Sequence, residues 1–313
     1  MIMKSVQISL FKSMRDNYIP SIHLYLKAAS TSIFLPRFSR FINKNLYKLG
    51  LGSSLNRYNN SLTFYFSKKD KKLYESYNDN DIFCNFGSGA FFHKRWINFD
   101  FPGVSSYYQA LQGKNGVDFQ AIDLCVKNIR LPFADNSVSL IYCSHTLEHI
   151  EEKRAKNFIK ECYRILKKNG IMRLVVPSTD NDHKIMSIIH NQTLISDETK
   201  NHLAIQVGSH ILSDTAELDE KQVSGLLLAA KFEPARFYDL AINAGVSNKF
   251  LKNNPERHIT YWNYSKLSNL AQALSFNACI PFYRGSSLAK PFNNLCVFDS
   301  TESQISLYVE LIK

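Results

Sequence analysis

Short apolar runs alternate with amphipathic stretches from about residue 80 to the end of the chain. Strands are predicted at 82–86, 96–99, 117–124, 139–143, 171–176, 232–240, 295–298 and 306–312. The clearest helix is predicted at 151–168, where apolar residues recur with a 3.6-residue period and Gly170 lies at the expected left-handed cap. A second helix is predicted at 219–230. This alternation predicts a doubly wound α/β sheet, which binds ligands at the carboxyl ends of its strands.

The composition changes just before residue 80. Residues 1–80 carry 13 Lys and Arg against 4 Asp and Glu, a net charge of +9 out of +11 for the whole chain. We predict a basic N-terminal extension at 1–79 and a second region at 80–313, with an irregular, Asn- and Ser-rich insertion at about 241–303. The charge suits an anionic membrane surface or glycan, with nucleic acid less favoured, although a solvated basic face is the simpler interpretation.

Cysteine usage and hydropathy bear on the compartment. The six cysteines are scattered without a CxxC pair, which argues against a disulfide framework or a cysteine zinc site and favours a reducing compartment. No signal-peptide pattern is found, and the most apolar stretch, 17–36, is interrupted by Pro20, His23 and Lys27. We therefore expect a cytoplasmic protein, with peripheral membrane contact through 1–79 left open.

Three polar features follow successive predicted strands. Gly87-Ser88-Gly89 follows the first strand, Asp100 ends the second and Asp123 lies at the end of the third. Glycines let the backbone approach a ligand where a Cβ would collide, and a carboxylate can accept both hydroxyl protons of a ribose. The order of these features predicts a nucleoside-binding edge.

Four segments resemble the class I, Rossmann-like methyltransferases that depend on S-adenosylmethionine (SAM). They are FCNFGSGAFFHKRWINFD at 83–100, IRLPFADNSVSLIYCSHTLEHI at 129–150, ECYRILKKNGIMRLVVP at 161–177 and SLYVELIK at 306–313. They are most similar to a branch with a short glycine loop and a GWINID-like second strand, often encoded beside genes for surface-glycan synthesis. The resemblance implies SAM as cofactor and a mostly parallel sheet with an antiparallel last strand and a vestigial first helix.

The resemblance also assigns roles to individual residues. The implied cofactor-binding residues are Gly87, Ser88, Gly89, Asp100, Asp123, Leu124 and Ser144. The glycine loop would border the methionine part of SAM, Asp100 would bind the ribose diol, and Asp123 with Leu124 would lie at the adenine. Ser144 and His145 would face the methyl group and the acceptor, which makes His145 the candidate catalytic base.

Two other kinds of site are disfavoured at these positions. A dinucleotide site is disfavoured because Phe92 stands where the third glycine of GxGxxG would be. His145 and His149 are four residues apart but lack the HExxH order, so we predict no metal, with His149 capping or packing the following helix.

The spacing after the glycine loop leaves the topology open. Six residues separate Gly89 from Trp96, fewer than a parallel crossover usually needs. Either the first helix is vestigial, or 82–86 and 96–99 form a hairpin and the SAM interpretation fails.

The leading functional interpretation is an enzyme that O-methylates a glycan or glycan precursor, with His145 or His183 as the base. One alternative is an RNA or protein methyltransferase whose basic N-terminal arm binds the substrate. Another is a catalytically degenerate SAM-fold module within a glycan-assembly complex. The sequence 144–147, SHTL, stands where amino-methylating nucleic-acid enzymes carry Asn/Asp-Pro-Pro-Tyr/Phe, which counts against that class.

Overall fold

The structure, a computed structural model, forms two compact units. It describes residues 23–25, 53–55, 61–64, 72–89, 95–102, 119–200, 202–203, 220–230, 233, 236–237, 239–240, 258–294, 298–299 and 306–313. One unit comprises Met1–Asp79 and Gly285–Ser300, and the other comprises Asn80–Arg284 and Thr301–Lys313. The first boundary falls where the composition of the sequence changes, whereas Gly285–Ser300 groups with the N-terminal residues. The interpretation of 1–79 as a separate basic extension stays a prediction.

The first unit contains a small antiparallel sheet. Its strands are His23–Tyr25, Ser61–Phe64 and Ser53–Leu55, in that spatial order. In the same unit a 3₁₀ turn at Lys290–Asn293 brings Phe292 edge-on to Phe298, with ring centroids 5.2 Å apart. The strand predicted at 295–298 falls largely outside the described residues.

The second unit is built on a seven-stranded sheet. Its strands are β1 (Ile82–Phe86), β2 (Ile97–Asp100), β3 (Phe119–Ala121), β4 (Val138–Ser144), β5 (Leu166–Pro177), β6 (Ala278–Phe282) and β7 (Ser306–Ile312). The spatial order is β3-β2-β1-β4-β5-β7-β6. β1 to β5 are parallel to one another, while β7 is antiparallel to both β5 and β6. The predicted mostly parallel sheet with an antiparallel last strand is confirmed.

The parallel pairing of β1 and β2 decides the topology that the sequence left open. Cys84 pairs with Ile97 and Phe86 with Phe99 in parallel register, and the two phenyl rings stack at 4.8 Å between centroids. The hairpin alternative is therefore wrong. β1 buries four of its five residues and β2 buries the two in its middle, as expected for strands of a parallel sheet, which helices cover on both faces.

The helix predicted at 151–168 is shorter than its periodicity indicated. Helix α1 spans Glu152–Ile165 and buries the predicted apolar face, but Leu166 already begins β5. The predicted cap at Gly170 is wrong, because Asn169 N donates to Lys313 O and Lys313 N donates to Gly170 O. Pairing with the end of the chain holds Gly170 within β5, so the backbone is already part of a strand at the position where the sequence predicted a helix cap.

The region between β5 and β7 differs most from the prediction. It contains α2 (Thr179–His190), α3 (Glu220–Ala229), α4 (Tyr264–Ala273) and β6. The sequence predicted α3 but neither α4 nor β6, which lie inside the stretch expected to be an irregular insertion. Asn263, whose side chain accepts a hydrogen bond from Lys266 N, is the cap that starts α4.

A predicted strand is replaced by helical backbone. The described residues of 232–240 include helical turns at 236–237 and 239–240, and Phe237 N donates to Glu233 O at 2.9 Å. The strand prediction is therefore wrong. It relied on the β propensity of the aromatic residues, whereas the backbone here forms a local helical hydrogen bond. Among the described residues, no helix is long and apolar enough to cross a membrane.

A buried ion pair links β5 to β7 beneath the sheet. Arg173 Nη1 lies 2.9 Å from Glu310 Oε1, both side chains are fully buried, and the two residues are register partners. Arg173 also donates from Nη2 to Tyr283 O at 3.2 Å. Because an uncompensated buried charge is costly, any other register of these strands is disfavoured.

Candidate functional site

The parallel strands β1, β2 and β4 end at the same side of the sheet, which we call the carboxyl edge. The loop after β1 turns there through two glycines with positive φ, 68° at Gly87 and 53° at Gly89. A Cβ on Gly87 would lie 1.9 Å from Thr146 Oγ1, in the loop after β4. Glycine is thus required at Gly87 both by backbone conformation and by close approach of a neighbouring loop.

Asp100 holds the glycine loop against the end of β2. Its Oδ2 accepts a hydrogen bond from Gly89 N at 2.6 Å, and its Oδ1 accepts one from Phe101 N at 2.8 Å. Burial raises the pKa of Asp100, and this outweighs the lowering by the two backbone N–H groups and by nearby His149. Since each carboxylate oxygen offers about two acceptor positions, each has a further position for a ligand hydroxyl.

Ser88 adds a polar group between the two glycines. Its backbone N donates to Phe99 O at 3.0 Å, which ties the loop to β2. Its Oγ is buried and has no hydrogen-bond partner among the described residues. A buried hydroxyl without a partner is costly unless a ligand or water satisfies it. The glycine cradle and this hydroxyl fit the carboxylate and amine of the methionine part of SAM.

Asp123 and Leu124 follow β3, the next strand along the carboxyl edge. Asp123 Oδ1 accepts a hydrogen bond from Cys125 N at 2.8 Å, so the carboxylate caps its own turn. Leu124 is buried in the hydrophobic core. Ile122 N donates to Asp100 O at 2.9 Å, which places this turn next to the end of β2. The predicted adenine contacts stay a prediction.

Ser144 ends β4, and His145 follows it with a left-handed φ of 48°. His145 N donates to Val175 O at 2.8 Å, which anchors this conformation to β5. The imidazole lies between two groups: Nδ1 is 3.1 Å from Glu148 Oε1, and Nε2 is 3.0 Å from Ser306 Oγ. The fold thus fixes the orientation of the predicted base.

Glu148 is buried beneath three imidazoles. It lies in the 3₁₀ turn Leu147–His149 with 2% of its surface exposed. Burial by itself would raise the pKa of Glu148, but the contact with His145 and the nearby His149 and His258 outweigh it and lower the pKa to about 2. The carboxylate therefore carries its negative charge inside the protein.

His258 reaches this turn from far along the chain. Ile259 N and Thr260 N both donate to Glu148 O, at 2.7 and 3.1 Å, and the His258 ring packs edge-on against His149 at 4.9 Å between centroids. Sequence reasoning missed Thr146, Glu148, His258 and Ser306. Only the His-x-x-Glu-His spacing pointed to Glu148, because the other contacts join distant segments. His183 lies in α2, and its side chain is outside the described part of the structure.

The comparisons with known proteins agree with this architecture. Residues 93–174 match a family model described as a methyltransferase domain. The match covers Asp100 to His145 and begins just after the glycine loop. With the observed strand order, it confirms a Rossmann-like class I fold. The match assigns methyltransferase activity to this part of the chain and implies S-adenosylmethionine as its cofactor.

Solved structures of SAM-dependent methyltransferases resemble the chain only distantly. The protein from Methanosarcina mazei is 12% identical, with 77% of this chain and 96% of that chain covered and a TM-score of 0.40. That from Archaeoglobus fulgidus is 9% identical, with 78% and 92% covered and a TM-score of 0.37. That from Mesorhizobium loti is 12% identical, with 78% and 96% covered and a TM-score of 0.36. Similarity this low carries no argument about function, and no curated protein matches the chain.

Replacing Gly87 by Ala tests the close approach of the two loops. The strained φ and the collision with Thr146 should lower the free energy of unfolding by about 1–3 kcal/mol. The matched control is Gly225→Ala in α3, where a Cβ meets nothing within 4 Å and which should be neutral or stabilising by up to about 1 kcal/mol. Denaturant unfolding of both variants measures the difference, and equal stabilities would contradict the observed loop contact.

Proposed function

We propose that this methyltransferase transfers the methyl group of SAM to a hydroxyl of a glycan or glycan precursor. The observation that carries the hydroxyl assignment is the oriented His145 at the end of β4, because a hydroxyl must lose its proton and a carboxylate acceptor need not. The glycan assignment is supported by the resemblance of the sequence to the branch that occurs beside surface-glycan genes.

The residues of the carboxyl edge would have two roles, which are cofactor binding and proton transfer. When bound, SAM supplies the methyl group and its own leaving group. The glycine loop would hold the methionine part, and Asp100 would accept hydrogen bonds from the ribose diol with the acceptor positions left by Gly89 and Phe101. The protein's main contribution to rate is then alignment of the acceptor oxygen with the methyl carbon.

His145 would receive the hydroxyl proton at Nε2. With a proton on Nδ1 directed at Glu148, Nε2 is the basic nitrogen, and in the free protein it faces the Ser306 hydroxyl. The acceptor hydroxyl would replace Ser306 Oγ as the partner of Nε2. The Glu148 carboxylate, 3.1 Å from Nδ1, would hold the ring with Nε2 toward the acceptor.

Methyl-labelled SAM with fractionated extract of the source cell tests the acceptor class. We expect label in a carbohydrate fraction, in a form that resists mild alkali, because methyl ethers survive conditions that hydrolyse methyl esters. Label that is released by alkali would point to a carboxylate acceptor. Label that ribonuclease or protease treatment releases from a macromolecule as small fragments would instead support the RNA or protein alternative. The absence of transfer to any fraction would support a degenerate module.

We further propose that the basic residues of 1–80 dock the protein on an anionic surface such as a membrane. The support is the net charge of +9 on this segment, whose Lys68, Lys69, Lys71 and Lys72 form its densest run. Each Lys or Arg near an anionic membrane contributes about 1 kcal/mol to binding.

Replacing these four lysines by Ala should abolish co-sedimentation with phosphatidylserine vesicles at low salt. The control removes the same charge from exposed lysines of the second unit, Lys127, Lys153, Lys160 and Lys168. The control should still co-sediment, and equal loss in both variants would show that only total charge matters.

A further inference from the structure

We propose that Glu148, His149 and His258 form a binding site for a divalent transition-metal ion of the zinc type. Each residue offers one ligand atom, and the three atoms lie within 4.8 Å of one another. Two imidazoles and a carboxylate form a donor set that zinc uses where it keeps an open coordination position. The inference does not depend on the identity of the methyl acceptor, and it revises the expectation from sequence that no metal binds.

The geometry needs only small side-chain movements to close around an ion. Glu148 Oε1 and His258 Nε2 are 4.0 Å apart, whereas ligand atoms at zinc bond lengths of about 2.0–2.2 Å are separated by roughly 3–3.5 Å. His149 and His258 are half-buried at the surface of this cluster, with their rings already in contact. Rotation about the side-chain bonds can supply the remaining approach.

The buried carboxylate of Glu148 faces imidazole rings. Both oxygens are buried, and Oε1 lies 3.1 Å from His145 Nδ1 and 4.0 Å from His258 Nε2. A buried ionised carboxylate is stable only when it is paired or coordinates a metal. A bound ion would add a positive charge beside this carboxylate, and His145, which would not bind the ion, would orient the carboxylate.

The backbone holds His258 at this position. Besides the two amide hydrogen bonds to Glu148 O, Thr260 Oγ1 donates to Leu147 O or Ile150 O, at 3.0 and 3.2 Å. Three hydrogen bonds at a time thus fix a segment more than a hundred residues away in sequence onto the 3₁₀ turn. Neither His149 nor His258 has a role in the proposed methyl transfer, so the methyltransferase function leaves this arrangement unexplained.

Titration of the metal-free full-length protein with Zn²⁺ against a chromophoric chelator tests the site. We expect one ion per chain with a Kd of roughly micromolar or below. His258→Ala and His149→Ala should each weaken binding by at least about 100-fold, since removal of even a residue that only supports a ligand costs about 10- to 100-fold. His202→Ala, at an exposed position, is the control and should leave affinity unchanged.

Two further measurements keep the outcome unambiguous. Circular dichroism reports whether each variant is folded, and His258→Gln replaces the imidazole with less disturbance where His258→Ala fails to fold. Cobalt substitution should give the visible absorption of a low-symmetry nitrogen and oxygen site in the wild type and lose it in both His258 variants. Absence of stoichiometric Zn²⁺ binding, or binding that is unchanged in folded His258 variants, would overturn the proposal.

Discussion

We expect His145→Gln to lower kcat for a hydroxyl acceptor by about a hundredfold or more. Glutamine keeps a hydrogen-bonding side chain between Glu148 and Ser306 but cannot take up a proton. SAM affinity should barely change, because all but one of the predicted cofactor contacts come from the loops after β1 to β3 and the remaining one, Ser144, is unchanged. Steady-state kinetics with the acceptor identified by labelling, together with SAM binding measured on the same protein, separates the two effects.

Ser306→Ala is the matched control for this substitution. It removes the hydroxyl that lies 3.0 Å from His145 Nε2 and leaves the imidazole and its contact with Glu148 in place. Its kcat should stay within the same order of magnitude as that of the wild type, because the acceptor hydroxyl replaces Ser306. A kcat of His145→Gln equal to that of the wild type would rule out the assignment of His145 as the base.

Asp100→Ala should weaken SAM binding by about 10- to 100-fold, since hydrogen bonds to a charged group contribute about 1.5–3 kcal/mol. The same variant also releases Gly89 N and Phe101 N, so the melting temperature of the free protein should fall somewhat. Asp100→Asn removes the charge but keeps one oxygen, so it retains one of the two hydrogen bonds from the loop backbone. Calorimetry on both variants measures the change in Kd.

Asp123→Ala serves as the comparison for Asp100. Asp123 caps its own turn at Cys125 N and is exposed, so its loss should weaken SAM binding less than the loss of Asp100. If folded Asp100 variants bind SAM as tightly as the wild type, the ribose partner lies elsewhere on the carboxyl edge.

The central strands could be predicted from sequence because parallel strands buried on both faces form continuous apolar runs. β1, β4 and β7 were placed within about a residue of their observed bounds for this reason. β6 could not be found, because at the edge of the sheet it is only partly buried and lies in an Asn- and Ser-rich stretch. The end of α1 was misplaced because hydrogen bonds from Lys313, distant in sequence, decide where β5 begins.

Some residues of the candidate site could likewise be predicted from the order of the strands, whereas others are brought together from distant segments. Gly87, Gly89 and Asp100 were predicted to lie together because strands of a parallel sheet end at one edge, and the structure joins Gly89 to Asp100 directly. His145 was predicted at the same edge by its place after β4. Its partner Ser306 is 161 residues away, and His258 comes from a segment without any recognisable pattern. Such pairings depend on the complete fold and carry no signal in a single sequence.

Calorimetric titration of the purified protein with SAM and with its demethylated product tests the central claim most directly. We predict that both bind with one site per chain and a Kd near micromolar, which corresponds to about 8 kcal/mol. Binding should weaken in Asp100→Asn and persist in His145→Gln. The absence of heat for either ligand, confirmed by equilibrium dialysis at high protein concentration, would contradict the assignment of this chain as a SAM-dependent methyltransferase.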